Sequence, residues 1–489
     1  MMKTIRRSLA FSFLEKYGVT AIGLVGTLVM ARLLTPADFG VYSVALSVVL
    51  IIDVVRDFGV GTYLVQERQL TPAVVQTVFT VSLAMSVICA GLLLGITLPI
   101  AAFYAEPNIA HILPLLAMSF LLGPFSTPSI GLLRRDMQFG KLALVGLAAA
   151  AVNLLVTVML AALGFGYMSL AWAKLASTMV TTVASIACRP VFRAFFPSFA
   201  EWRKVATFGS YASVTAIINV IHDSLPQLIV GWQLGFGAVG LLGRAAAVCQ
   251  IPDRLFTSVL QPVLLPSLAE QARTSGDLKR TYLRSITYMS ALQWPIFLCL
   301  AMLADPAVRV LLGAQWDAAA PVVRVMALAS LSLFPAYMTY PVLVAVCAVR
   351  DALVSSLISI PPSLLLIFLA SLHNLEAVAA TQLITGPLQV YVAVCFIRRH
   401  VPMTWQEFFA AVGRSGCVAL FAAAPSIIAV VLAGFRFDLS PLATVLSCLG
   451  AGTGWLAGLW ISKHPLLAEL QLLSMRGRWQ TLRPAWLRS

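Results

Sequence analysis

Val81-Ser82-Leu83-Ala84-Met85-Ser86-Val87-Ile88-Cys89-Ala90-Gly91-Leu92-Leu93-Leu94-Gly95-Ile96-Thr97-Leu98-Pro99-Ile100 runs without one Asp, Glu, Lys or Arg. As an α-helix rising about 1.5 Å per residue, such a run reaches about 30 Å, the thickness of a bilayer's hydrocarbon layer. Similar windows recur along nearly all 489 residues. The chain is 60% hydrophobic and 11% charged, with a mean hydropathy of +0.92, whereas a soluble domain carries about 25% charged residues. A water-soluble fold is excluded. Backbone amides cannot stay unpaired in hydrocarbon, and the windows lack the alternation of barrel strands, so the expected fold class is an all-α polytopic integral membrane protein.

Windows bounded by Pro, Gly and charge clusters predict about fourteen transmembrane helices. The first six lie at 8–31, 40–65, 73–102, 111–131, 142–163 and 167–188. The second six lie at 205–232, 237–263, 284–303, 320–347, 353–371 and 375–397, and two more at 412–434 and 441–462. The net charge of +14 sits mostly in alternate connections. One set holds Arg134, Arg135 and Lys141; Arg189, Arg193, Arg203 and Lys204; Arg273, Lys279, Arg280 and Arg284; and Arg398, Arg399 and Arg414. The tail adds Lys463, Arg476, Arg478, Arg483 and Arg488. The other set holds only Arg32, Arg309 and Arg436, two of them near Asp38 and Asp438. This is the positive-inside pattern, and it predicts an uncleaved first span and both termini in the cytoplasm.

The same pattern accounts for the basic charge next to an anionic leaflet, so no nucleic-acid partner is expected. Eight cysteines without C-x-x-C spacing indicate neither zinc nor a disulfide framework. The outer loops are too short for a catalytic domain and no G-x-x-x-x-G-K-[ST] occurs. No enzyme activity, cofactor or metal is expected.

The spans point to an internal repeat, with chance similarity between two apolar helical hairpins as the alternative. Leu34-Thr35-Pro36-Ala37-Asp38-Phe39-Gly40-Val41-Tyr42 aligns without a gap with Leu234-Gly235-Phe236-Gly237-Ala238-Val239-Gly240-Leu241-Leu242. Asp53 then matches Asp253, each in an apolar span. Copies six spans apart share polarity and imply a pseudo-two-fold axis along the membrane normal, as in transporters. The expected division is an N-lobe at 1–196, a C-lobe at 197–400, two further helices at 401–462 and a basic tail at 463–489.

Charges within spans cost at least about 2.5 kcal/mol each and are expected to have a use. They concentrate in the first two helices of each repeat: Glu15 and Lys16; Asp53, Arg56 and Asp57; His222 and Asp223; Arg244, Asp253 and Arg254. Lys174 and Arg324 are shallower. Asp53, Arg56 and Asp57 share one helix face at i, i+3 and i+4. Arg56, Arg244, Arg254 and Lys16, with Lys174 and Arg324, are candidate ligands for a phosphate-bearing headgroup, because Arg binds oxygens bidentately and Lys supplies a compact charge. Glu15, Asp53, Asp57, Asp223, Asp253 and His222 are candidates for ion coupling. Interhelical salt bridges that only fix packing are the alternative for each pair. A common wet chamber between the halves is the expectation on which the transport reading depends.

Ala31-Arg32-Leu33-Leu34-Thr35-Pro36-Ala37-Asp38-Phe39-Gly40-Val41-Tyr42 resembles the A-R-x-L-x-P-x-x-F-G-x-Y motif of polysaccharide flippases, a branch of the multidrug, oligosaccharidyl-lipid and polysaccharide exporter superfamily. Asp57-Phe58-Gly59-Val60 and Leu132-Leu133-Arg134-Arg135-Asp136-Met137-Gln138-Phe139 are similar to further elements of that family. The resemblance implies two pseudo-symmetric six-helix lobes plus two C-terminal helices in a bacterial inner membrane. It implies alternating access that carries undecaprenyl-diphosphate-linked oligosaccharide from the cytoplasmic to the periplasmic leaflet, with membrane lipids and other polysaccharide assembly proteins as partners. Lys16 and Arg56 are the nearest counterparts of the headgroup-binding cluster of related lipid II flippases. A multidrug-type antiporter, and a membrane glycosyltransferase or polysaccharide polymerase, are the alternatives.

Overall fold

Four of the described helices start at a single polar residue placed before an apolar run. Thr71, Asn374, Thr404 and Ser440 each accept a hydrogen bond from the backbone N–H three residues on, and Glu407 closes a capping box on Thr404. Each device pairs amide donors that a helix leaves open at its first turn. The computed structural model describes residues 2–57, 59–67, 70–252, 278–346 and 348–468.

The described elements are α1 (Met2–Leu33), α2 (Pro36–Asp57), α3 (Val60–Gln66), α4 (Pro72–Phe103), α5 (Ile109–Arg135), α6 (Phe139–Ala162), α7 (Met168–Cys188) and α8 (Trp202–Leu234). α9 (Phe236–Pro252) follows. Then come α10 (Leu278–Met302), α11 (Ala304–Leu311), α12 (Ala320–Tyr337), α13 (Thr339–Ala345), α14 (Val349–Ser371), α15 (Leu375–His400), α16 (Trp405–Leu432) and α17 (Pro441–Ile461), and no strand occurs among the described residues. Twelve of these helices are long and apolar enough to cross a membrane, and α8 and the shorter apolar α9 occupy the seventh and eighth expected positions.

Two expected spans are each broken. The window at 40–65 divides between α2 and α3 at Gly59, whose φ of 62° lies in the left-handed region that a β-carbon disfavours. The window at 320–347 divides between α12 and α13, where Pro335 and Pro341 interrupt the amide ladder.

The helices form two compact units, Met1–Gly243 and Arg244–Ser489. In the first unit α1 packs along α6, and α2 packs against α4, α5 and α8. Its basic connections gather at one end and do more than set topology. Arg135 donates to the carbonyls of Leu64, at 3.0 Å, and Glu67, closing the end of α3. Lys141 Nζ donates to Cys188 O at 3.0 Å at the end of α7, and Arg189 pairs with Asp136 at 3.1 Å. These cations satisfy carbonyls that a helix leaves open at its last turn.

In the second unit α10 lies against α12 and α16 around a core that includes Tyr282, Ile286, Met289, Phe334, Val394 and Phe408. α17 meets α16 along Gly450, Gly454 and Gly458. A β-carbon on Gly454 would stand 2.3 Å from Phe421 O, and one on Gly458 2.8 Å from Val418 Cα. The spacing is the small-xxx-small pattern that lets membrane helices approach closely where lipid supplies no hydrophobic drive between them. At the loop beyond α11, Arg309 binds Asp317 at 3.0 Å and also Asp438.

His464, just past α17, is 2% exposed. Its Nδ1 accepts from Leu466 N at 3.2 Å, so the proton sits on Nε2, 3.2 Å from Ser415 Oγ. Ser415 Oγ in turn donates to Thr287 O at 3.1 Å. Burial, and then the charge of Arg414, lower His464 to about 4. Its contribution is therefore whole above the ordinary value near 6.5 and is lost as pH falls through about 4. Thermal melts of the purified protein should lose at most about 1.4 kcal/mol per pH unit across that window, and His464→Gln should flatten the slope.

Candidate functional site

The two aligned connectors meet each other. A β-carbon on Gly40 would stand 1.7 Å from Phe236 O, and one on Gly240 would stand 1.9 Å from Pro36 O. Each glycine of the repeat thus lies on the first residue of the other copy's helix, and the register that matches residue 40 with 240 also matches 36 with 236. No side chain fits at either place, because the obstruction is backbone. The first turns of α2 and α9 are in direct contact within the first unit.

Other connectors close around this contact. Asp38 accepts from Thr35 Oγ1 at 2.6 Å and from Tyr167 N at 3.2 Å, and Tyr167 donates to Asn108 Oδ1 at 2.7 Å. Tyr104 donates to Leu228 O at 3.0 Å, and Phe103 stacks on Trp232. Burial pushes Tyr104 up to about 12, and burial followed by Glu106 and Asp38 raises Tyr167, so both phenols remain donors. The α1–α2, α4–α5, α6–α7 and α8–α9 connections therefore share one end of the unit, opposite the basic end.

Charged residues step away from this end along the helices. At about 1.5 Å per residue, Lys174 lies about 9 Å along α7, Arg244 about 12 Å along α9, and Asp223 about 17 Å back along α8. Asp53 lies about 25 Å along α2, and Lys16 about 25 Å back along α1. Lys16, Asp57 and Lys174 are exposed, and the Asp223 side chain is 82% exposed. Because an ionised group facing hydrocarbon is costly, these residues call for a wetted surface on the unit.

Arg56 differs from them. Its Nε donates to Asp53 Oδ1 at 2.6 Å, its guanidinium lies 5.3 Å over the Phe120 ring, and its side chain is only 17% exposed. Glycine at 123 makes room for it, since a β-carbon there would stand 2.6 Å from an Arg56 nitrogen. Glu15 is half-buried, with a carboxylate oxygen 3.2 Å from where Gly146 would carry a β-carbon. His222 Nδ1 lies 3.5 Å from Asp223.

In the second unit Arg324 pairs with Asp305 and lies 3.6 Å over the Phe437 ring, beside the connection between α11 and α12. Asp253 and Arg254 lie outside the described residues. Among the described candidates Asp53 pairs with Arg56 and His222 with Asp223. One polar link was not foreseen: Ser47 Oγ donates to Gln227 Oε1 at 3.0 Å, joining α2 to α8. Both residues are uncharged, so a census of charge passes over them.

Comparison with known proteins places this geometry in context. Residues 29–321 match the family described as polysaccharide biosynthesis protein. The chain is 28% identical to the succinoglycan biosynthesis transport protein ExoT of Rhizobium meliloti (strain 1021), over 68% of this chain and 67% of that one. It is 22% identical to the lipopolysaccharide biosynthesis protein WzxC of Escherichia coli (strain K12), over 64% of each chain. It thus spans about two thirds of the length of these relatives. Its fold matches that of the lipid II flippase MurJ in an inward closed conformation, with a TM-score of 0.74 and 12% identity over 94% of this chain and 100% of that one. It also matches an inward-facing multidrug resistance MATE family transporter, with a TM-score of 0.66 and 15% identity over 78% of this chain and 94% of that one.

Gly123→Leu should push Arg56 off Phe120 and cost on the order of 1 kcal/mol in thermal stability. In an Arg56→Ala background that penalty should largely vanish, which a double-mutant cycle of melting measurements reads directly.

Proposed function

We infer the role of this multi-pass membrane transporter from its membership of the polysaccharide biosynthesis protein family. It acts as a flippase for undecaprenyl-diphosphate-linked oligosaccharide repeat units, moving them from the cytoplasmic to the periplasmic leaflet of a bacterial inner membrane by alternating access. The observation that carries this reading is the reciprocal contact of Gly40 on Phe236 and Gly240 on Pro36. A backbone-to-backbone seam between the two aligned connectors, closed at one end, is a joint that the transport cycle opens and shuts. The exposed charges on α1, α7 and α8 support a wetted route leading away from that end.

In this reading Lys16, Lys174 and Arg244, with Arg254, neutralise the diphosphate while the polyprenyl chain stays in lipid, which offsets part of the desolvation cost of moving two phosphates through the bilayer. Arg56 acts from its Asp53 pair, and Arg324 from its Asp305 pair. Asp57 and Asp223 are the coupling acids favoured by exposure, with Glu15, Asp53, Asp253 and His222 as further members. The basic end, by the positive-inside rule, faces the cytoplasm together with both termini, and the glycine seam faces the periplasm. The names of the relatives ExoT and WzxC, a biosynthesis transport protein and a lipopolysaccharide biosynthesis protein, agree with a glycan cargo.

Depleting the protein in its host should cause a lipid-linked oligosaccharide to accumulate on the cytoplasmic leaflet. Gly40→Val should reproduce that accumulation while the protein remains in the membrane. Depletion without such accumulation, or gradient-driven extrusion of small cationic dyes by reconstituted protein, would overturn the reading in favour of a multidrug-type antiporter.

A further inference from the structure

A cavity of about 680 Å³ opens in the second unit, where α10 begins and the chain leaves α17. None of the described candidate transport residues lines it. Its cations are Lys279, Arg280 and Arg284, and its apolar walls are Leu283, Pro465 and Ala468. Lys279 pairs with Glu407 at 2.6 Å.

The two arginines are arranged rather than scattered. Arg280, Arg284 and Tyr288 follow one another at i, i+4 and i+8 and share one face of α10. The Tyr288 hydroxyl accepts from Arg284 Nε at 2.8 Å, and the guanidinium lies 5.4 Å over the Tyr288 ring. The ring sets the plane of the guanidinium, which limits the rotamer freedom a long cation loses on binding. Both arginines are exposed.

The surroundings lean the same way. Arg414 bears electrostatically on His464, the residue just before the cavity wall at Pro465, and His464 is held neutral there. The cavity lies where two membrane-crossing helices end, so one side of an occupant meets charged residues at the interface and the other meets apolar side chains.

We propose that this cavity binds the phosphate headgroup of an anionic phospholipid, with Arg280 and Arg284 on the phosphate oxygens and the glycerol against Leu283, Pro465 and Ala468. Planar guanidinium forks suit phosphate oxygens, and basic pockets between membrane helices are sites of this kind. A headgroup there joins α10 to the segment after α17 and thereby steadies the C-terminal helix pair of the unit.

The test is made on the full-length protein in nanodiscs of phosphatidylcholine with increasing phosphatidylglycerol, by native mass spectrometry of retained lipid and by thermal melting. Wild type should retain phosphatidylglycerol over phosphatidylcholine and melt higher as its share rises. Arg280→Gln/Arg284→Gln should weaken retention several-fold and remove most of the rise. Arg284→Lys keeps the charge but loses the fork and should fall between the two, and it serves if the double variant does not fold. Undiminished retention and an undiminished rise in these variants would overturn the proposal, as would a rise reproduced by inorganic phosphate in pure phosphatidylcholine, which would mark a free-anion site. Because the readouts are lipid retention and melting, the outcome is separate from that of any transport assay.

Discussion

A polar group inside hydrocarbon must find a partner in the protein, and most of what this chain does follows from that constraint. It makes every described span a helix. It explains why helices begin at Thr71, Asn374, Thr404 and Ser440, whose side chains hold the first amides. It also explains why Arg135 and Lys141 end on carbonyls of α3 and α7 rather than simply in solvent. A basic loop residue in such a protein has two uses: its charge orients the segment in the membrane, and its donors complete a helix that ends at the interface.

Where lipid competes equally well for apolar side chains, helices are held together by how closely their backbones approach. The glycines of the two repeat connectors and those of α17 serve the same end at different places. On α17 they make a close seam against α16. At Gly40 and Gly240 they make a symmetric one, in which each copy of the repeat rests on the start of the other. In the function proposed above this seam is the contact that parts, which connects the repeat in the sequence to that proposal.

Charged residues in the spans divide by environment. Arg56 sits on Asp53 and Phe120 in a slot left open by Gly123, and Arg324 sits on Asp305 and Phe437. Lys16, Asp57, Lys174 and Asp223 remain exposed on helices otherwise clothed in apolar side chains. In the proposed function those exposed charges offset part of the cost of bringing a diphosphate into the bilayer.

The sequence by itself determined the fold class, the approximate spans, the alternation of basic and neutral connections and the repeat of residues 34–42 at 234–242. All of these are one-dimensional: hydropathy averages over a window, loop charge needs only its position, and a gapless register needs no third dimension. Tertiary structure decided what the residues meet. It broke the second span at Gly59, turned Gly40 and Gly240 into each other's contacts, set Arg56 apart from Lys16 and brought Lys279, Arg280 and Arg284 up to Pro465. Such pairings join residues tens to hundreds of positions apart, and whether a charge is spent on a neighbour or left facing water depends on which helix packs beside it.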